Sequence, residues 1–542
     1  MDKADLLLKG GTFFDGKKED DTIDFIAIRG NRILATGKAE DTDQYIDENT
    51  KVLEYTKDNL IMPGIHDNHI HLIQAGMLVK FLDLSKEPSE EAAAQTVANF
   101  AKENPDQEWI IGFGWSKFMF GKHPRKETLD ALVPDQSVYL LDDECHSAWV
   151  NTKALLAAGI DNDTPDPPFG KIERNENGEA TGFLYETALS IVGAVALQFT
   201  DEEVKELVDL YTDKAHSLGI TSVTDMTPYL GLDLAFEEAY FKMAADGNLR
   251  LRINAALDLF ADIDEVLKKR ARAEKECGGF YRIPFLKQFV DGVLESHTGL
   301  MIEDYEGYEG DRGEPLLDLE KMREAVREAH DNGISVRLHA CGDGAVREAL
   351  DAYEAAIKTL GKKDDVHHQI EHIEVCSDED LPRFGELGVI ASIQPEHIVS
   401  GMNSFSENTY PELLGKRRER QTWRLRGLLD TGAVLAAGSD CPVVFGNPFV
   451  GIQSGIERVH TDGTPEGGWN PEEKIEVEEL LTAYTSAAAY GEGMEEESGM
   501  LKEGMLADVI VLDRNLLAIP SSQIQDTKVL LTVLDGAIVY TS

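Results

Sequence analysis

The 542-residue chain has five cysteines, Cys145, Cys277, Cys341, Cys376 and Cys441, and no two of them stand at CxxC spacing. An odd, scattered set builds neither a disulfide framework nor a zinc knuckle. The expectation is five small buried residues, with a catalytic thiol at Cys341 or Cys441 as the minor alternative. No apolar run reaches the length of about 18 residues that a membrane-spanning helix needs. The opening Met1-Asp2-Lys3-Ala4-Asp5 lacks the order of a signal peptide, so a cytoplasmic protein without membrane association is expected. Basic residues are scarce, 52 against 100 acidic ones, for a net charge of −48. That balance excludes non-specific nucleic-acid binding, which needs basic surface. The acid is spread along the chain, as in Lys18-Glu19-Asp20-Asp21 and Glu495-Glu496-Glu497, and reads as a solvated shell. A salt-adapted host is the corresponding hypothesis, since salt screens self-repulsion.

A hydrophobic content of 42% supports a large core, and the length implies one large domain with satellites. Residues 1–58 alternate short β-type runs (Leu6-Leu7-Leu8, Phe25-Ile26-Ala27-Ile28) with Gly turns, and residues 495–542 return to that texture. Both ends together predict a small β-sandwich. Residues 59–494 alternate strand-like runs with amphipathic helical ones, which implies βα units and a parallel sheet. No Gly-rich phosphate loop follows the first strand, which disfavours a doubly wound fold. The fold class is therefore α/β, a (β/α)8 TIM-type barrel. Residues 80–200 are too long for one connection and predict an insertion over the barrel mouth.

The chemistry gathers where strand-like runs end. In Ile61-Met62-Pro63-Gly64-Ile65-His66-Asp67-Asn68-His69-Ile70-His71 two histidines stand two apart. On a strand, i and i+2 share a side, so His69 and His71 can grip one cation, and imidazole is a preferred ligand for zinc and its neighbours. His339 ends Ser335-Val336-Arg337-Leu338, His372 follows Gln369-Ile370-Glu371, and Asp440 follows Ala436-Ala437-Gly438-Ser439. Lys287 sits inside an apolar run, where its charge is costly unless neutralised, paired or chemically altered. In a barrel such strand ends form the catalytic face.

These residues resemble the amidohydrolase superfamily. The strand 1 signature is Pro63-Gly64 with Asp67, His69 and His71, and His339, His372 and Asp440 match its strand 5, 6 and 8 positions. His339-Ala340-Cys341-Gly342-Asp343, Gly438-Ser439-Asp440-Cys441-Pro442-Val443, Leu506-Ala507-Asp508 and Asp143-Glu144-Cys145-His146 narrow it to the amidohydrolase-3 branch of YtcJ-like proteins and N-substituted formamide deformylase. The resemblance implies one or two divalent metals, zinc first with iron or manganese as alternatives. His69, His71 and Asp440 would hold the more buried ion and His339 and His372 the second, with a carboxylated Lys287 bridging them. Asp440 would take a proton from metal-activated water and deliver it to the departing nitrogen.

The chain departs from the branch after its lysine, with Asp291-Gly292-Val293-Leu294-Glu295-Ser296-His297, and after its strand 5 histidine, with Gly342-Asp343-Gly344. Two arginines common there are absent, so no particular substrate carries over. Trp115, His146, His297 and His397 are candidates to line a substrate cavity, with packing or surface as the competing reading. Asp291 and Asp343 are equally open to structural and functional roles, and His367-His368 is not assigned to metal. The expected activity is hydrolysis of a C–N bond in a small-molecule amide, formamide or cyclic amide. A metal-assisted esterase and a non-catalytic regulatory or ligand-binding relative are the alternatives, and self-association is left open.

Overall fold

Eight parallel strands form the centre of the structure, a computed structural model that describes residues 2–143, 145–227, 236–399 and 403–542. They are β1 (Ile65–Ile70), β2 (Ile220–Asp225), β3 (Arg252–Asp258), β4 (Tyr281–Phe289), β5 (Ser335–Ala340), β6 (Gln369–His372), β7 (Ile390–Ile393) and β8 (Leu435–Ala437). Each pairs in parallel with the next, and the ring shuts where Ile70 bridges Cys441. Two backbone bonds hold that seam, Asp440 N–H to His69 O (2.7 Å) and His71 N–H to Cys441 O (2.9 Å). Amphipathic helices cover the outside. Leu319–Asp331 buries Met322, Val326, Ala329 and His330, one helical stripe, and starts where the Asp318 carboxylate accepts from Glu320 N and Lys321 N. The molecule is a TIM-type (β/α)8 barrel.

The chain ends meet in two stacked sheets. Leu6–Lys9, Phe25–Arg29, Arg32–Gly37 and Lys51–Glu54 form one. Thr12–Phe13, Leu60–Pro63, Val509–Leu512, Val529–Leu534 and Ala537–Thr541 form the other. Strand alternation sends Leu6, Leu8, Ile26 and Ile28 into a shared core with Ile61, Val509, Val511 and Val533, while Leu7 and Ala27 pack on the opposite side with Ala4 and Phe25. Leu60–Pro63, placed with the barrel by sequence, belongs to this sandwich, because its neighbours are Thr12–Phe13 and Val509–Leu512. A buried ion pair fastens the sandwich to the barrel: Arg252 on β3 donates to Asp508 Oδ2 and to Asp535 Oδ1, both at 2.7 Å.

The insertion carries a six-stranded sheet spanning Leu82 to Glu186. One face joins the barrel core through Ile111, Tyr139, Leu141 and Leu184. The other packs its own core around Trp115, Trp149 and Phe183. All five cysteines are buried and none is in a disulfide. Among the described residues no helix is long and apolar enough to cross a membrane. Glu144, part of the insertion's motif, lies outside the described residues.

Candidate metal centre

The predicted ligands come together at the carboxyl ends of the strands. Asp440 Oδ1 lies 3.4 Å from both His69 Nε2 and His71 Nε2. Its Oδ2 lies 3.9 Å from His372 Nδ1 and from His397 Nε2. The β5–β6 register pairs Ala340 with His372, which brings the His339 and His372 rings to 4.4 Å. His372 and Asp440 adopt left-handed backbone, φ 72° and 60°. Such conformations cost a non-glycine residue about 1–3 kcal/mol and persist at sites that over-determine them.

Around this set lies a buried frame. His69 Nδ1 donates to Glu371 Oε2 (2.6 Å), which fixes the ring's tautomer and leaves Nε2 as an acceptor facing Asp440. Glu371 in turn faces Arg337, 3.5 Å away, whose guanidinium donates to Asn68 O (2.6 Å) and Asn68 Oδ1 (2.9 Å) and stacks on Phe285. Asp67 accepts from Ser439 N (2.8 Å) and Ser439 Oγ (2.6 Å), tying β1 to the segment that carries Asp440. Burial disfavours ionised Asp440, but His69, His71 and His372 outweigh it and hold the carboxyl well below its usual range. Burial and neighbouring charges push His339 and His372 well down. Burial, then Lys287, brings His71 down to about 3. Neutral His71, His339 and His372 around an ionised carboxylate are protonation states that metal ligands need. At His69 burial is outweighed by Asp440 and Glu371, which raise it, so a cation there would displace a proton from that ring.

Lys287 on β4 is fully buried, donates to Met226 O (3.3 Å) and sits over the Phe289 ring. Burial pulls its ammonium down to about 8. Phe289 packs against His339, ring centres 4.7 Å apart, so Lys287 points into the same basin. His146 reaches the mouth from the insertion, 6.1 Å from the His339 ring. His397, a cavity candidate by sequence, stands instead among the potential ligand atoms with His372 and Asp440.

Two expectations need correction. Trp115 lines no cavity at this centre: it is fully buried in the insertion's own core, and its Nε1 donates to Leu140 O (2.9 Å). Strict alternation would put Trp115 on the barrel-facing side with Ile111 and Phe113, but the register shifts at Gly114 (φ 87°), where Asp142 pairs with Trp115, and this turns the indole to the far face. His297 is held by Asp311 (2.8 Å) and stacked on Tyr305, which spends its polar edge on its own loop. Asp343 braces its loop by accepting from Ile302 N. Asp291 accepts from Cys341 N, Gly342 N and Leu300 N, and it also lies 3.3 Å from His339 Nδ1, forming with His339 and Cys341 a third group of potential ligand atoms. Cys341 lies 3.7 Å from His339 Nε2, but burial pushes its thiol well up, against a nucleophilic role. His368 is a structural partner of His330 (2.9 Å). Glu371, Arg337 and Glu186 carried no sequence signal of their own; only their strand-end positions beside His372, His339 and the insertion motif marked them.

The donors suit a divalent cation. His69 Nε2, His397 Nε2 and Asp440 Oδ1 are buried without a hydrogen-bond partner, each at a cost of about 1–3 kcal/mol if left so. His69, His71 and Asp440 lie within metal-sharing distance, as do His372, His397 and Asp440. Imidazole and carboxylate fit zinc, iron or manganese.

The chain is similar to known proteins along nearly its whole length. N-substituted formamide deformylase of Arthrobacter pascens is 24% identical over 528 residues, covering 95% of this chain and 94% of its own. YtcJ of Bacillus subtilis (strain 168) is 29% identical over 537 residues, 98% of each. Protein LONG AFTER FAR-RED 3 of Arabidopsis thaliana is 29% identical over 520 residues, 94% of this chain and 88% of its own. The crystal structure of an uncharacterized metal-dependent hydrolase from Pyrococcus furiosus matches with a TM-score of 0.73 at 27% identity, covering 94% of this chain and 99% of that one. Another, from Pyrococcus horikoshii OT3, shares the fold with a TM-score of 0.76 at 23% identity, over 95% and 99%. The sequence pattern of the amidohydrolase family spans residues 56–540, which hold the barrel, the insertion and the later strands of the sandwich, and the chain belongs to that family.

Proposed function

We propose that this chain hydrolyses a carbon–nitrogen bond other than a peptide bond, in a small-molecule amide, formamide or cyclic amide. The observation that carries this is the meeting of His69 Nε2, His397 Nε2 and Asp440 Oδ1, all buried and without hydrogen bonds, at the strand ends. His69, His71 and Asp440 would hold one divalent ion, zinc first, with iron or manganese as alternatives. His339 and His372 would hold a second, and a carboxylated Lys287 would stand between them, with His397 in reach. Such an ion supplies water activation near neutral pH and polarisation of the scissile carbonyl.

The residues do the rest. Asp440 stays ionised among its histidines, accepts the proton of the attacking water and passes it to the departing nitrogen. Glu371 keeps the His69 tautomer fixed through that transfer. Carboxylation would remove the buried cation of Lys287, whose lowered basicity favours the nucleophilic amine. N-formyl compounds come first in the substrate panel, a choice supported by similarity to N-substituted formamide deformylase. Esters belong in the same panel, because metal-assisted water attacks them by the same route.

The test is elemental analysis of protein purified without chelator and with bicarbonate, followed by amide and ester panels on wild type and Asp440→Asn. Two ions per chain and amide turnover, lost by roughly 10²–10⁴-fold in Asp440→Asn with metal retained, are expected. One ion per chain removes the bridging role of Lys287. Retained metal with no turnover of any amide or ester refutes the hydrolase and leaves a non-catalytic regulatory or ligand-binding protein. One relative, of Pectobacterium carotovorum subsp. carotovorum, carries the name exoenzymes regulatory protein AepA and is 28% identical over 345 residues, 60% of this chain and 71% of its own.

A further inference from the structure

A second group of buried polar side chains reaches the barrel mouth from the insertion. His146 stands immediately before the strand Ser147–Val150, and Glu186 ends the strand Ala180–Glu186, in which Tyr185 pairs with Ser147. The Glu186 N–H donates to His146 O (3.0 Å), so the two residues are neighbours at one end of the sheet. His146 Nδ1 donates to Glu186 Oε2 (2.7 Å). Thr298 Oγ1, on the loop after β4, donates to Glu186 Oε1 (2.9 Å). The same hydroxyl accepts from Val293 N (3.0 Å), which anchors it to its own loop.

This arrangement does more than pack the insertion. Glu186 follows Leu184 by two residues, so it shares the sheet face that joins the barrel core, away from the Trp115 cluster on the other face. His146 and Glu186 are 7% and 4% exposed, a costly place for a carboxylate without its hydrogen bonds. Glu186 also holds a left-handed backbone, φ 44°, a conformation kept where surroundings over-determine it, often beside a site. A Cβ on Gly292 would stand 2.2 Å from Thr298 Oγ1 and 2.9 Å from Glu186 Oε1, so the β4 loop is seated tightly against the pair. The ring so fixed lies 6.1 Å from His339, one of the proposed ligands. An ionised Glu186 only accepts, which places the hydrogen on Nδ1 and directs the opposite edge of the ring, with Nε2, away from Glu186.

We propose that His146 hydrogen-bonds the scissile amide of the substrate and that Glu186 and Thr298 position it, making the insertion part of the active site. This rests on the hydrolase function proposed above. The substrate is then a small amide whose polar atoms, while its carbonyl faces the His69–Asp440 centre, also reach the His339 side. Glu186 and Thr298 act through His146 and do not touch the substrate.

The experiment pairs kinetics with a probe that needs no turnover. Substitutions His146→Asn, Glu186→Ala, Glu186→Gln, Thr298→Val and Thr298→Ser are made in the full chain, with metal content measured for each. Expected is a loss in kcat/KM of ~10²-fold for His146→Asn and Glu186→Ala at unchanged metal content. Glu186→Gln, which keeps an acceptor for Nδ1–H, and Thr298→Ser, which keeps the hydroxyl, recover most of the loss seen in Glu186→Ala and Thr298→Val. The double variant His146→Asn/Glu186→Ala is expected to be no worse than His146→Asn; a full additional loss makes Glu186 structural and overturns the proposal. In parallel, acetohydroxamate is titrated into cobalt(II)-loaded protein and followed by visible absorption. His146→Asn should weaken it roughly tenfold, the scale of one hydrogen bond, without altering the starting spectrum. Wild-type affinity in His146→Asn overturns the inference. If wild type cleaves none of the amides, the hydrolase function falls while the hydroxamate titration still decides the role of His146.

Discussion

Replacing Glu371 with alanine separates two roles of one buried carboxylate. Glu371 is fully buried, accepts from His69 Nδ1 and faces the equally buried Arg337. Arg337 keeps its bonds to Asn68 O and Asn68 Oδ1 in the variant, but its charge loses the nearest carboxylate. Removing one partner of a buried pair costs about 3–5 kcal/mol, because the other charge is left uncompensated. Exchanging Arg337 for methionine as well should recover part of that, since no uncompensated charge then remains, while Asn68 O and Asn68 Oδ1 lose their donor. Metal affinity should behave differently. His69 loses the acceptor that sets its tautomer, a change that weakens metal binding by roughly 10–100-fold, and Arg337→Met restores nothing there. The assays are guanidinium denaturation of the metal-free protein at pH 7 and competition with a chromophoric chelator. An unchanged denaturation midpoint in Glu371→Ala refutes the stability argument. A double variant that regains metal affinity together with stability refutes the tautomer argument.

Trp115→Ala should destabilise the protein by about 3–5 kcal/mol through the cavity it leaves, together with loss of the bond to Leu140 O, while metal content stays unchanged. Thermal unfolding checks it, and normal stability with a raised KM would return Trp115 to the substrate cavity. Burial, then the neighbouring His330 and His367, pushes His368 down to about 3. A depressed histidine contributes its stability above an unfolded value of about 6.5 and loses it as pH falls towards the folded one. The stability advantage of wild type over His368→Asn should therefore shrink by about 2 kcal/mol between pH 7 and pH 5; an equal difference at both pH values defeats this. With a net charge of −48, unfolding midpoints should rise as KCl shortens the screening length from about 10 Å at 0.1 M to about 3 Å at 1 M. A flat response removes the case for a salt-adapted host.

The barrel and the side chains gathered at its strand ends were legible because their signals are local. Spacing of two on a strand puts His69 and His71 on one side, and each of His339, His372 and Asp440 ends its own apolar run. The sandwich was legible for the same reason, as alternation such as Leu6 and Leu8 against Leu7. Leu60–Pro63 was misplaced because an apolar strand reads alike in either sheet until its partners are known.

What sequence alone determined is therefore the βα alternation, the acidic composition and which polar side chains stand at the strand ends. Tertiary structure decided which residues face them. His69 meets Glu371 across 302 residues, and Thr298 meets Glu186 across 112. His397 joins the ligand set because barrel closure brings the turn after β7 beside Asp440, and Trp115 leaves the substrate wall because its strand turns it into another core. The physical reason is common to all four. A side chain's local period fixes its direction relative to its own strand, while its chemical role depends on partners, burial and desolvation that exist only once distant segments pack together.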